Sequence, residues 1–473
     1  MEFKTNRRLT TLAAAAAACV LVGCVSTPVP DSAWRADAVG PAWEQLPAGS
    51  VDPALRSRFW SAWESPELVR LQTIALERNP DIASAAATVK AAAATLDLRS
   101  WQRLPGGRVS LQDGVTRASS HTVHNTKGGL DADWRISLMG SEYFAERAQE
   151  LTGLSAQYAF AALEEQILAQ VAEAYLQYRL ARERIRVLDD LIASQKNALE
   201  LVESRHAAGL ADDSEYLLAQ GQLLEMEKRV PERRAELEKA RHLLSRLTLT
   251  PWDGLHLEDA AAGIPEPPRG LAVSIPAEVL SHRSDVAASR MKVLAAAEDV
   301  NVAKADFYPS LSITGSLGAR AASISALGVS GNSVASLAGA LDLPILNYGR
   351  LAAARRGAEA RLDGAVADYG RTLAAALEDV GNAVSIVVST EEKRPLESDY
   401  VAKMEEAASL SLMEYEAGTG DFNRYLIAKK NALNARDSEL INRYNHARAV
   451  VELYRATGGA WRDAPNEGNP NHE

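Results

Sequence analysis

Apolar positions along this chain follow two rhythms. From Phe144 to about Arg205 they return every third or fourth residue, as at Phe160, Leu163, Ile167, Val171, Ala174 and Tyr178. That spacing gathers side chains on one face of an α-helix. Leu154, Ala161, Leu168 and Tyr175 recur every seven residues and mark a second seam, rotated by roughly 100°. Two seams suit a helix with a neighbour on each side; one broad apolar face would give the same pattern. Gly153 is the only glycine in the stretch and there is no proline, so about 60 residues could rise about 90 Å. A turn is expected at 208–213, then a helix running back from Asp213 to about Thr248.

The second rhythm has a period of two. Leu130, Ala132, Trp134, Ile136 and Leu138 alternate with Asp131, Asp133, Arg135 and Ser137, about nine residues, the length of a tilted membrane-spanning strand. Val109, Leu111 and Val115 form a weaker partner. In the second half, Leu311, Ile313 and Leu317 make one run and Leu337, Leu341, Leu343 and Ile345 another, joined by a Ser/Gly/Ala stretch at 319–333. A soluble hairpin with one wet face would alternate in the same way. If the strands cross lipid, four cannot close a barrel, because about eight is the smallest number that packs and open edges find no partner there. Copies must then associate: two give eight strands and three give twelve, and a wide water-filled lumen favours three.

The organisation occurs twice. Gly209, Tyr216, Leu217, Ala219, Leu224, Ala240, Leu244 and Trp252 are answered by Gly418, Tyr425, Leu426, Ala428, Leu433, Ala449, Leu453 and Trp461, each 209 positions on. Gly140 and Gly349, placed before the long helix of each half, keep that offset. Asp81-Ile82-Ala83 and Pro105 are answered by Asp285-Val286-Ala287 and Pro309 at an offset of 204. So long a period marks duplicated domains. Repeat 1 is expected at 59–253, with a strand pair at about 108–138 and a long hairpin at about 143–250. A crossover at 254–267 leads to repeat 2 at 268–462, with strands at about 310–346 and a hairpin at about 350–458. A helix from Pro66 to about Leu104, irregular at Asn79-Pro80, stacks on the shorter return helix to match the long one. Pro231 and Pro395 predict kinks or breaks, the latter where an equatorial girdle could interrupt the second long helix.

Lys4, Arg7 and Arg8 precede an apolar run, Leu12 to Val22, too short to span a bilayer. It ends in Leu21-Val22-Gly23-Cys24, which resembles the bacterial lipobox; a plain signal peptide cut nearby is the alternative. On the first reading residues 1–23 are a leader, Cys24 carries the lipid, and 24–58, rich in proline, link anchor to body. Val25 after the cysteine implies sorting to the outer membrane. Cys19 leaves with the leader, so no disulfide framework is possible. Loss of three basic and one acidic side chains takes the net charge from −11 to −13, unfavourable for nucleic acid. Aromatics are 6% of the chain, and abundant alanine favours close helix packing. The tail, 463–473, reads as disordered.

Several stretches resemble the TolC/OprM outer-membrane efflux factors, in their NodT-like lipoprotein branch, over nearly the whole mature chain. Phe59-Trp60-Ser61-Ala62-Trp63-Glu64-Ser65-Pro66-Glu67-Leu68 is similar to the family's opening segment, with serine where aspartate is usual. Ala75-Leu76-Glu77-Arg78-Asn79-Pro80-Asp81-Ile82-Ala83, Ala303-Lys304-Ala305-Asp306-Phe307-Tyr308-Pro309-Ser310-Leu311, Leu343-Pro344-Ile345-Leu346-Asn347-Tyr348-Gly349-Arg350 and Leu453-Tyr454-Arg455-Ala456-Thr457-Gly458-Gly459-Ala460-Trp461 resemble its later signatures. The resemblance implies a fold that is mainly α with membrane β. Tandem-duplicated long helical hairpins and four strands per protomer would make a homotrimer, a 12-stranded β-barrel continued by an α-helical barrel. It also implies a periplasmic adaptor and an inner-membrane transporter as partners, with the hairpin turns at Gly209, Asp212, Asp213 and Gly418 as adaptor contacts.

Two departures bear on function. Ser137-Leu138-Met139-Gly140 replaces the family's usual Asp-Leu-Phe-Gly. Many members also carry a constricting aspartate just before the alanine equivalent to Ala428; here Ile427 stands there, with Arg424 three residues earlier and Asp421 nearer the turn. The gate is therefore apolar, or is formed by Arg424 paired with Asp421, unless both are solvated turn residues with Asp421 a helix cap. No nucleophile, phosphate-loop or metal motif accompanies them. His121 and His124 fall in the expected first strand loop and read as surface polar residues. No cofactor, metal or catalytic centre is expected. The chain reads as a passive exit duct for small molecules in a tripartite efflux system in the bacterial outer membrane. A type I protein-secretion duct or a non-transporting, lipid-anchored coiled-coil protein are the alternatives.

Overall fold

The computed structural model describes residues 59–118, 121–257, 263–268, 283–327, 329 and 331–458. The leader, Cys24 and the 24–58 linker, part of the crossover, residues 269–282, Trp461 and the 463–473 tail lie outside the described residues. The described chain divides into two compact units, and each draws on both sequence repeats. One holds Val89–Ala156 and Ala288–Gly370. The other holds the described residues up to Thr88, those of Gln157–Ala287, and those from Arg371 on.

The first unit contains the only sheet among the described residues: β1 (Gly106–Ala118), β2 (His121–Ser137), β3 (Ser310–Ala321) and β4 (Ser333–Asp342), all antiparallel, in the order β1-β2-β3-β4. β2, at 17 residues, extends well beyond the nine alternating positions. It takes in His121 and His124, which therefore lie in a strand and not in a loop. The ladder continues there because Thr116, Arg117 and Ala118 of β1 offer backbone partners to Val123, Thr122 and His121. Leu343 and Ile345 fall beyond β4; Pro344 lacks the N–H a ladder needs. Helix α6 (Ser284–Ala305) packs Val293, Ala297 and Val300 on Ala358 and Leu362 of α7 (Tyr348–Glu416). Gly140 takes a left-handed turn, φ 72°, immediately before α3 (Ser141–Ala207), whereas its repeat-mate Gly349 already lies inside α7.

The second unit is helical. Ser65 caps α1 (Pro66–Arg78) by accepting from the Leu68 N–H, with proline at the first position. Asn79 is forced out of the helical region by Pro80 and stays extended. Its Oδ1 accepts from the Asp81 N–H at the start of α2 (Pro80–Gln102), and its Nδ2 donates to the Leu247 carbonyl. The return helix splits into α4 (Asp213–Glu227) and α5 (Arg229–Thr248). Pro231 has no N–H for the Glu227 carbonyl four residues back, which accounts for the break. Pro395 does not break α7, which remains one helix of 69 residues. The sequence expectation of an interruption there is corrected: one missing bond well inside so long a helix leaves the turns on either side intact. The core joins Leu68 and Leu71 of α1, Val171, Tyr175 and Tyr178 of α3, Leu244 and Leu247 of α5, and Val450 and Val451 of α8 (Phe422–Ala456).

Candidate functional site

Two places have the geometry for transport: the face of the sheet in one unit and the turns of the helical hairpins in the other. In the sheet, cross-strand register sets the faces. Val109 pairs with Leu130, Leu130 with Leu317 and Leu317 with Ala335; Ile136 pairs with Leu311 and Leu311 with Leu341. This face is apolar and uncovered, with Val109 at 85% exposure and Leu337 at 81%. On the other face Ser110 donates to Asp131 at 2.7 Å and Arg108 approaches the same carboxylate at 3.9 Å; Ser316 and Ser336 bond across β3 and β4 at 2.8 Å. Gly129 and Gly318 face each other across β2 and β3 on this polar side, so close that a Cβ on Gly318 would stand 2.3 Å from the Gly128 carbonyl.

Beside the strand ends are exposed rings that the sequence reading passed over: Trp101, Tyr143 and Tyr348. Trp134 Nε1 donates to the Arg103 carbonyl at 2.9 Å, and Phe307 meets Tyr348 edge-on. A comparison of aromatic positions with the strand ends would have found them, since amphipathic rings suit a membrane interface.

The hairpin turns share one geometry. Gly209 and Gly418 adopt φ of 71° and 72°. After α3, the Leu210 N–H bonds to the Arg205 carbonyl and the Gly209 N–H to the His206 carbonyl; after α7, Thr419 to Glu414 and Gly418 to Tyr415 repeat both bonds. This is the glycine-dependent Schellman ending. Asp212 then caps α4 through the Glu215 N–H at 2.8 Å, and Asp421 caps α8 through the Asn423 N–H at 3.1 Å. Asp213, in the first turn of α4, meets His206 in the last turn of α3 at 2.7 Å. Arg424 reaches Glu414 at 3.1 Å, not Asp421. The expected Arg424–Asp421 pair is thereby corrected, because capping occupies Asp421 and Glu414 lies one turn before the hairpin. Ile427 is exposed, as is its repeat-mate Leu218.

A brace joins the two turns, and the sequence did not reveal it. Arg205 stacks its guanidinium 4.7 Å from the Tyr415 ring and donates to the Tyr415 carbonyl at 3.2 Å; the Tyr415 hydroxyl donates to Glu215 at 3.3 Å. Below it Val202, Ala219, Phe422, Tyr425 and Leu426 close a small core. Its members come from two helical hairpins far apart in sequence, so no local spacing could expose it. Among the described residues no group of three or more His, Cys, Asp or Glu side chains is placed to hold a metal.

The profile of the family described as "Outer membrane efflux protein" matches residues 71–248 and 275–459, which is most of the chain. The chain belongs to the outer membrane efflux protein family. OpmQ of Pseudomonas aeruginosa, a pyoverdine export outer membrane protein, is 28% identical over 463 residues, covering 94% of this chain and 96% of its own length. OprJ of the same species, an outer membrane protein, is 27% identical, covering 89% of this chain and 90% of itself. The solved outer-membrane channel OprN matches with a TM-score of 0.85 at 27% identity, over 93% of this chain and all of that one. The family and its solved members here are channel proteins, and this efflux family member is the outer-membrane channel component of an efflux system.

Proposed function

We propose that three copies of this chain close a 12-stranded barrel in the outer membrane and form a passive duct for small molecules. The observation that supports this is the four-stranded sheet with a bare apolar face and unpaired outer edges on β1 and β4 among the described residues. Such a sheet satisfies its backbone in lipid only by closing with others. Three copies give a lumen wide enough for water, lined by the face that carries Arg108, Asp131 and Ser316. Trp101, Tyr143 and Tyr348 sit at headgroup level, and Cys24 supplies a lipid anchor.

The hairpin turns, at Gly209, Asp212, Asp213 and Gly418, meet a periplasmic adaptor that joins the duct to an inner-membrane transporter, the source of energy. Ile427 and Leu218 narrow the entrance as an apolar gate, with Arg424 held to Glu414. Cargo is a small molecule. The test is the mass of the detergent-solubilised protein together with single-channel conductance in planar bilayers. A trimer with a stable aqueous conductance is expected; a monomer that never conducts would overturn the reading.

A further inference from the structure

In the helical unit a recess of about 360 Å³ opens where α3 passes α7 and α8, lined by Asp190, Ser194, Glu405, Tyr425, Lys429 and Arg436 among others. Its two carboxylates and two cations are unevenly paired. Glu405 is engaged by Arg436, and Asp190 has Arg186 at 3.7 Å. Lys429 is half-buried, and its amine donates to the Ser194 hydroxyl at 2.8 Å; among the described residues no carboxylate stands within ion-pair distance of it. Burial, and next the nearby Arg436, push this amine below the usual lysine range against the opposing pull of Glu405. A sheltered ammonium without a direct ion-pair contact is unfavourable, and it has donors to spare.

The internal duplication places an uncharged residue at the position equivalent to this lysine. The Arg436–Glu405 pair is answered 209 positions earlier by Lys196 and Glu227, an ion pair at 3.6 Å with its signs reversed. Lys429 is answered by Gln220, which is uncharged. The first repeat therefore keeps the ion pair and leaves this position uncharged, while Lys403 answers Ser194 on the facing helix.

We propose that this recess binds a carboxylate group, held by the Lys429 ammonium and the Ser194 hydroxyl with Arg436 beside them. A carboxylate suits the site because it accepts from both donors at once and gives the ammonium the direct partner it lacks. Lys429 lies 11 residues beyond the Gly418 turn, about 16 Å along α8. Its bond to Ser194 already ties the second hairpin to the first, and an occupant tightens that tie. Under the duct reading, occupancy therefore stabilises the arrangement of the turns seen here; the binding itself stands without that reading.

The experiment measures the melting temperature of the full-length protein in detergent, in acetate against chloride at equal ionic strength. The wild type is expected to gain a saturable few degrees in acetate alone. Lys429→Gln, which restores the first repeat's residue and should fold normally, is expected to lose that gain, and Ser194→Ala to reduce it. A second arm uses N-acetyl-glutamate amide: tighter binding than acetate assigns the recess to the acidic side chain of a docked protein, equal binding to a free anion. No carboxylate-specific gain in the wild type, or a full gain retained in Lys429→Gln, overturns the proposal. Neither result depends on conductance, so failure here is distinguishable from failure of the duct.

Discussion

Glu165 of α3 carries its charge at a cost. Burial, and next the Asp285 carboxylate, push its pKa up to about 8. Eight residues on, burial and a hydrogen bond with Glu452 push Glu173 up as well. An unfolded chain releases the Glu165 proton near 4.5, so between there and about pH 8 the folded state holds a proton the unfolded state has lost, and stability falls as pH rises. Glu165→Gln should melt higher than wild type at about pH 8 and show a flatter decline from about pH 5; identical slopes by circular dichroism would refute this. In the sheet the decisive residue is a glycine. Gly318→Val drives a side chain into the Gly128 backbone, and a loss of about 3 kcal/mol or more is expected. Gly339→Val meets nothing within 4 Å and should leave the sheet intact. Heat-resistant oligomer on denaturing gels separates the two variants.

At the scale of elements, what the sequence revealed followed locality. The long helix of the first half was visible in unbroken three-four spacing, and β2 in the alternation from Leu130. Duplication placed Gly209 and Gly418 at equivalent turns, and both have the left-handed backbone that glycine permits. What stayed hidden depends on contacts across the chain. The far end of β2 lacks an apolar alternation and is a strand because β1 pairs with it. Arg424 and Asp421 are three residues apart and still do not pair, because a cap and a carboxylate from the preceding helix compete successfully. The brace at the turns is the same kind of contact, between Arg205 and a tyrosine 210 residues away. Arg205→Ala removes a stacked cation and a hydrogen bond, together about 1–2 kcal/mol. If the brace holds the turns closed, the open population rises about tenfold. Larger single-channel conductance and easier antibiotic entry are the expected readouts, with Lys228→Ala, far from the brace, as the silent control.

At the scale of the whole molecule, the helical unit displays two apolar stripes with nothing over them. Leu210 and, on α4, Leu217 and Leu224 are spaced by seven, with Leu217 at 63% and Leu224 at 65% exposure. On α7, Leu396, Tyr400, Leu410 and Met413 are similarly bare. A seven-residue repeat of leucines is a seam for another helix, and a monomeric soluble protein rarely leaves so much aliphatic surface uncovered. If the stripes of neighbouring copies cover each other, the trimer is held by helices as well as by strand edges. Glutamates in place of Leu217 and Leu224 would then cost about 3–6 kcal/mol per interface, from two leucines at about 1.5–3 kcal/mol each. Both positions face solvent within one chain, so helical content by circular dichroism should not change. Sedimentation in detergent should instead show the trimer giving way to smaller species at concentrations where the wild type stays whole. An intact trimer carrying both substitutions would assign these leucines to the adaptor instead, and leave the strand edges as the main bond between copies.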